Sequence, residues 1–323
     1  MIIFIHGILQ RSGTNLLNQA LLLHPDCVQP VTKIRENWFL HYSDSLSEYS
    51  EQLFHVWSNP DWGGNQFSQS SFFSRIGDAL LAYLVEQTPE ALNRRLLSKT
   101  PSVRHLERCF KFFPSSKVII IVRDPRDVAV SALKTWGRPI AKTLDEWCLA
   151  CQSIVQFENT APPQSYLLIR YEDLVAEPEE VVRNCLSFLN LQDVDFPWER
   201  LGELPVFGSS EFAGWQVQKA ESSFDPVGRW KSLSIEQRQS FSDIPPTFLS
   251  YFGYPNSQND EGLLLPQRAE RLNMRLEISG EKVTVKEPAS WLLSKRITAL
   301  RTGLRFIAGA VLGERVSRRT RTG

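Results

Sequence analysis

The sequence contains no long hydrophobic run: none of its 323 residues lies in a stretch approaching the ~18 apolar residues of a membrane-spanning helix. The amino terminus, "MIIFIHG", has no positively charged leader and too short an apolar segment for a secretory signal. Cysteine is scarce. Five residues, at 27, 109, 148, 151 and 185, are too scattered for a disulfide framework and suit a reducing cytoplasm. Cys148 and Cys151 form a C-x-x-C inside the helical pattern "LDEWCLACQSIVQF", but no second pair lies nearby to complete a zinc site. Core packing on one helix face is the expectation there. Net charge is lacking too, since 36 Lys/Arg cancel 36 Asp/Glu. Bulk charge therefore gives no sign of a nucleic-acid partner.

The cancellation is uneven along the chain. From Lys295 to Gly323 there are eight basic residues against the single acid Glu314. Residues 36–74 have no Lys or Arg, yet hold five acids and ten aromatics. Such a segment reads either as a helical subdomain burying its rings or as the wall or lid of a binding site, because aromatic faces stack on sugars and aryl groups.

Short apolar runs alternate with helical patterns elsewhere. Residues 2–6 and Val118–Val122 are continuous apolar strands, "SYLLIRYEDL" is a third, and "RRLLSKTP" a fourth. Helical spacing follows the first run through Leu16, Leu17, Ala20, Leu21 and Leu23, and follows the second from Asp124 or Pro125. This alternation predicts an α/β fold: a central parallel sheet flanked by helices on both faces, like a P-loop nucleotide-binding domain, with ligands at the carboxyl ends of the strands. After Pro255, "NSQNDEG" reads as a linker, "MRLEISGEKVTV" as a C-terminal β-hairpin, and the segment from Ala289 as a basic amphipathic helix. The expected division is thus a domain over 1–255, containing a helical segment at 36–95, and an extension over 256–323. Its terminal helix suits docking on a core or partner, with a peripheral membrane surface as the alternative.

One more absence raises the functional question. "HGILQRSGTNLL" has the form of a phosphate loop entering a helix, yet Gly13 is followed by Thr14-Asn15 and not by the lysine that reaches the β/γ-phosphates of a nucleoside triphosphate. A helix N-terminus still favours an anion, and Arg11, Ser12, Thr14 and Asn15 add a cation and side-chain donors. A second unit, "VRDPRDVAVS", puts Arg123 at a strand end and Ser131 about two turns into the next helix, where they could grip a second phosphate. Alternatively, Asp124 and Asp127 cap that helix and pair with Arg123 and Arg126.

The two motifs "QRSGTNLL" and "VRDPRDVAVS", in this order and about 110 residues apart, resemble those of the sulfotransferases, which move the sulfuryl group of 3′-phosphoadenosine-5′-phosphosulfate (PAPS) to a hydroxyl or amine. "RYEDL" and "DPVGRWKSLS" resemble further elements of that family, and the resemblance covers roughly residues 2–254. It implies that Arg11, Ser12, Gly13, Thr14 and Asn15 hold the 5′-phosphosulfate and that Arg123 and Ser131 hold the 3′-phosphate. It also implies that Tyr171 lies near the adenine and that Gly228 and Arg229 close over the 3′-phosphate side. PAPS would be the donor, no metal would be needed, and the acceptor would be a small molecule or carbohydrate. The general base is Glu36 in "TKIRENWFL" by resemblance to carbohydrate and tyrosyl-protein relatives, or His41 or His105 by analogy with relatives that use a histidine. Lys99 in "LLSKTPS" resembles a lysine that assists the leaving group. His6, just before the loop, is expected to pack or bond the backbone. The competing readings are a P-loop kinase or nucleotide hydrolase and a non-catalytic nucleotide-binding relative.

Overall fold

The run from Ile2 to Ile5 has no polar face to turn to water, and in the computed structural model it lies at the centre of the sheet. The structure describes residues 1–30, 36–58, 68–204, 225–256, 265–271 and 274. Strand β1 (Ile2–Gly7) is buried at every residue. Its chain continues through α1 (Thr14–Leu22) to β2 (Cys27–Val28), then α2 (Asp44–Trp57), α3 (Gln69–Glu86) and β3 (Arg95–Thr100). The order goes on with α4 (Cys109–Phe112), β4 (Lys117–Val122), α5 (Pro125–Trp136), α6 (Ile140–Thr160) and β5 (Tyr166–Arg170). Last come α7 (Tyr171–Ala176), α8 (Pro178–Leu189), α9 (Ile235–Arg238) and α10 (Pro246–Tyr251). The five strands are ordered β2-β3-β1-β4-β5 and every pairing is parallel. The expected central parallel sheet is present, with β2 as an edge strand of two residues that composition alone does not reveal.

Parallel strands feed helices on both faces, so both faces of each strand must be apolar. Ile3, Ile5, Ile119, Ile121 and Ile169 pack under α1, α7 and α8, against Leu17, Leu21, Leu174, Val182 and Leu186. On the other face Phe4 meets Phe113 at 4.8 Å and Tyr166 meets Phe157 of α6 at 5.1 Å. Cys148 and Cys151 of α6 are buried and unbridged, as core packing requires.

The strand order reverses at β1. The chain leaves β1 towards β2 on one side and leaves β4 towards β5 on the other, which opens a crevice at the carboxyl ends of β1 and β4. The loop after β1 and the turn after β4 both empty into it. Beyond Asn256, Arg268 donates to Tyr166 Oη at 2.6 Å and Arg271 to Glu158 Oε1 at 2.6 Å, so this part of the chain packs on the sheet domain. The expected hairpin beyond Met274 and the whole of the expected basic helix lie outside the described residues, as does the linker from residue 257. Among the described residues no helix is long and apolar enough to cross a membrane.

Candidate active site

The loop after β1 turns into α1 through two residues in the left-handed region, Arg11 (φ 74°) and Gly13 (φ 94°). Gly13 caps α1, and no side chain caps it. Its first-turn N–H groups therefore lack the usual side-chain acceptor. A Cβ at Gly13 would stand 2.2 Å from Cδ2 of Tyr171. Gly13→Ala should therefore displace the Tyr171 ring, strain the turn and cost about 1–3 kcal/mol, seen as a lower midpoint in urea unfolding. Ser12 is buried and its Oγ accepts from Leu9 N at 3.2 Å, which folds the loop back on itself.

Arg123 directly follows β4 and is buried. Its Nη1 donates to the carbonyl of Arg11 at 2.8 Å, its Nη2 to the carbonyl of Pro226 at 2.5 Å, and its guanidinium stacks 4.2 Å from the Tyr171 ring centre. Its own carbonyl accepts from Trp147 Nε1 of α6 at 3.1 Å. Arg123 thus ties the first loop to the late segment before Gly228. Its Nε is buried and has no hydrogen-bond partner among the described residues.

Arg11 donates through Nε to Ser131 Oγ at 3.0 Å and lies 5.6 Å from the Trp136 ring centre. The cation assigned to one anion and the hydroxyl assigned to the other therefore meet. Burial lowers the pKa of Arg11, and the neighbouring positive charges of Arg123 and Arg229 lower it further. Burial and Arg123 act in the same way on Arg229. Three arginines from three distant stretches of sequence thus converge on the crevice, close enough to repel one another. A bound anion would relieve the repulsion.

The two aspartates of "RDPRD" do separate work. Asp124 caps α5 through Arg126 N at 2.9 Å and pairs with Arg126 Nη2 at 2.6 Å, while Arg126 stacks 4.2 Å from the Trp230 ring centre. Asp127 instead accepts from the backbone N–H groups of Gly228 at 2.7 Å and Trp230 at 3.1 Å, fixing the turn that presents Arg229. The Asp124–Arg126 pair thus follows the capping alternative, whereas Arg123 is turned to backbone carbonyls. Behind this turn, half-buried Glu172 accepts from Asp124 N at 2.9 Å and from Tyr254 Oη at 3.1 Å, and desolvation of its carboxyl pushes its pKa up to about 7. Tyr171 sits one residue past β5, opening α7, with its ring between Gly13 and Arg123.

On the opposite side of β1, Lys99 is in register with Ile5 near the end of β3. Its Nζ lies 3.2 Å from Glu36 Oε1, and Trp38 Nε1 donates to Glu36 Oε2 at 3.1 Å. Asn37 pins this segment to β3, with its N–H on the Lys99 carbonyl at 3.2 Å and its amide on Ser98 Oγ at 2.8 Å. Glu36 and Lys99, distant in sequence, are brought together; the two histidines are placed otherwise. His41 Nδ1 is 2.7 Å from Ser102 Oγ, and burial, with Arg104 and His105 nearby, pushes its pKa down to about 4. His105 lies in an ion-pair knot, 2.9 Å from Asp44 and 3.5 Å from Glu107, with Arg104 and Arg108 on the same Asp44 carboxylate. His6 is buried with Nδ1 2.7 Å from the Ser102 carbonyl, and burial lowers its pKa to about 4. Among the described residues no group of three or more His, Cys, Asp or Glu is placed to hold a metal ion.

Residues 3–195 match the family model described as the sulfotransferase family. The chain belongs to the sulfotransferase family. It is 26% identical over 270 residues to a putative protein-tyrosine sulfotransferase of Caenorhabditis briggsae, covering 80% of this chain and 90% of that protein. It is 22% identical over 293 residues to the nodulation protein NoeE of Sinorhizobium fredii, covering 80% of this chain and 67% of that one. Among solved structures it is similar to the sulfotransferase domain of the Synechococcus olefin synthase, at 20% identity and a TM-score of 0.48, over 87% of this chain and 96% of that domain.

Several residues that shape this crevice had no such role in the sequence reading, although Asp127, Trp38 and Pro226 lie within its motifs. Asp127, Trp38, Trp136 and the Pro226 carbonyl act through backbone geometry and long-range contacts. Only Asp127 had a sequence signal: its carboxylate sits three residues after the helix cap, where it is free to reach outward.

Proposed function

We propose that this sulfotransferase moves the sulfuryl group of PAPS to a hydroxyl of an uncharged small-molecule or carbohydrate acceptor. One observation carries the reading: Arg123 Nε is a buried donor with no partner among the described residues, flanked by Arg11 and Arg229 beside a phosphate loop that lacks the triphosphate lysine. Leaving such a donor unpaired is costly, and an anion with several terminal oxygens would satisfy it.

The donor supplies an activated sulfuryl group on a phosphate that leaves. The backbone of Ser12 and Gly13, with Thr14 and Asn15 at the start of α1, would cradle the 5′ anion. Arg123, Arg229, the Gly228 turn and Ser131 would hold the 3′-phosphate, with Tyr171 flanking the base. Arg11 would exchange Ser131 for the oxygens undergoing transfer. Glu36 would take the acceptor proton as the oxygen–sulfur bond forms, and Lys99, adjacent to it, would neutralise charge developing on the leaving oxygen. Glu36 is favoured over the histidines because it stands at the crevice beside Lys99, whereas His105 is held by Asp44 and Glu107. The acceptor side of the chain, with no cation in residues 36–74, suits a neutral sugar, phenol or alcohol. Five scattered cysteines without a disulfide fit a cytoplasmic location, and the contacts of Arg268 and Arg271 extend the sheet domain past the expected limit at residue 255.

Binding is tested by melting the protein with adenosine 3′,5′-bisphosphate, the product of the donor, and separately with ATP. Ligand that binds only the folded state raises the melting temperature by mass action. The bisphosphate should raise it several degrees more than equimolar ATP; a larger shift with ATP would favour the kinase or hydrolase reading and sink this one.

A further inference from the structure

We infer that Trp38 is a positioning residue for sulfuryl transfer: its indole N–H fixes the Glu36 carboxylate at the crevice. The inference rests on the reading of Glu36 as the base. Among the described residues each Glu36 oxygen has one donor, Lys99 Nζ on Oε1 at 3.2 Å and Trp38 Nε1 on Oε2 at 3.1 Å. A carboxylate oxygen accepts more than one hydrogen bond, so each still has a site for the acceptor hydroxyl. With two donors on two oxygens, the carboxylate plane cannot rotate away from the crevice.

The backbone is distorted to make this contact. Trp38 has φ 47°, in the left-handed region, where a bulky side chain is an outlier. Such strain persists only where its surroundings impose it. Here they do. Asn37 Oδ1 accepts from Phe39 N at 3.0 Å across the turn, and Asn37 is bonded to the Lys99 carbonyl and to Ser98. Phe39 is anchored edge-on to Phe112 at 5.1 Å and to Phe113 at 5.4 Å. With residues 37 and 39 fixed, the chain turns Trp38 back over Glu36. The indole is then braced by His41, edge-on at 5.1 Å, and His41 is itself held by Ser102. A tryptophan whose only role was packing would need neither the left-handed backbone nor a carboxylate under its N–H.

The variant Trp38→Phe keeps an aromatic ring and removes the donor. Transfer of radiolabelled sulfuryl from PAPS to a panel of phenols and neutral sugars is measured for the wild type, Trp38→Phe and Glu36→Gln, with melting shifts by adenosine 3′,5′-bisphosphate alongside. Trp38→Phe should lower kcat roughly ten- to hundredfold. It should leave the acceptor KM and the bisphosphate shift near wild type. Independently of turnover, the Trp38 indole N–H resonance, assigned by its loss in Trp38→Phe, should move in Glu36→Gln. An indole resonance unmoved by Glu36→Gln overturns the inference, whatever the panel gives. So does full turnover in Trp38→Phe when Glu36→Gln is inactive; full turnover in Glu36→Gln instead overturns the base assignment.

Discussion

Replacing Arg123 by methionine should abolish most of the stabilisation that adenosine 3′,5′-bisphosphate gives the folded protein. The side chain is buried, sits between the phosphate loop and the late Gly228 turn, and carries an Nε with no partner among the described residues. Removing a buried, hydrogen-bonded charge from a binding contact costs 2–5 kcal/mol in comparable cases; about 3 kcal/mol corresponds to more than a hundredfold in Kd. A ligand at a hundred times its Kd stabilises by about 2.7 kcal/mol, and after a hundredfold loss the same concentration gives about 0.4 kcal/mol. The difference is several degrees in melting temperature and easily read. Arg123→Lys retains the charge but not the planar fork that reaches two carbonyls at once, so it should fall between the two. Near-ultraviolet circular dichroism of each variant verifies that the ligand-free fold is retained. A folded Arg123→Met protein that keeps the full bisphosphate shift would show that the three-arginine cluster is not the donor site.

Much of the scaffold was legible because its signals are local. The apolar runs at Ile2–Ile5 and Val118–Val122 can only be buried parallel strands, and Asp124-Pro125 after the second can only start a helix. The two-residue strand β2 carried no such signal, since Cys27 and Val28 are too few to show a pattern. The site was legible as a set of positions and not as a set of contacts. Arg11 and Ser131 were assigned to different phosphates on sequence grounds, and their 3.0 Å hydrogen bond depends on where β1 and β4 deliver their loops. Glu36 and Lys99 were singled out separately; their pairing required Asn37 to clasp β3. The turn at Trp38 was invisible, because a left-handed tryptophan is imposed by neighbours and not by its own preference.

The same distinction governs the second large effect, which concerns stability. Arg271→Met should lower the melting temperature by about 10 °C without changing any group in the crevice. Glu158 of α6 is fully buried, and its carboxylate accepts from Arg271 Nη2 at 2.6 Å, from Tyr166 Oη at 2.8 Å and from the Tyr251 hydroxyl. Arg271 is the cation of that set, and it arrives from 113 residues further along the chain. Deleting one partner of a buried ion pair typically costs 3–5 kcal/mol, because the remaining charge is left in a medium that solvates it poorly. For a domain of this size each kcal/mol is worth roughly 2–4 °C. Neutralising both partners, in Glu158→Gln with Arg271→Met, should recover a large part of the loss, since the unpaired charge is then gone. Truncation after Asn256 should cost at least as much as the single variant, because it removes Arg268 together with the same cation. The consequence reaches the site through one helix: α6 also carries Trp147, whose indole N–H holds the Arg123 carbonyl. A loss below about 2 °C in Arg271→Met would mean that Glu158 is satisfied by the two tyrosines alone and that the segment beyond residue 256 contributes little to the fold.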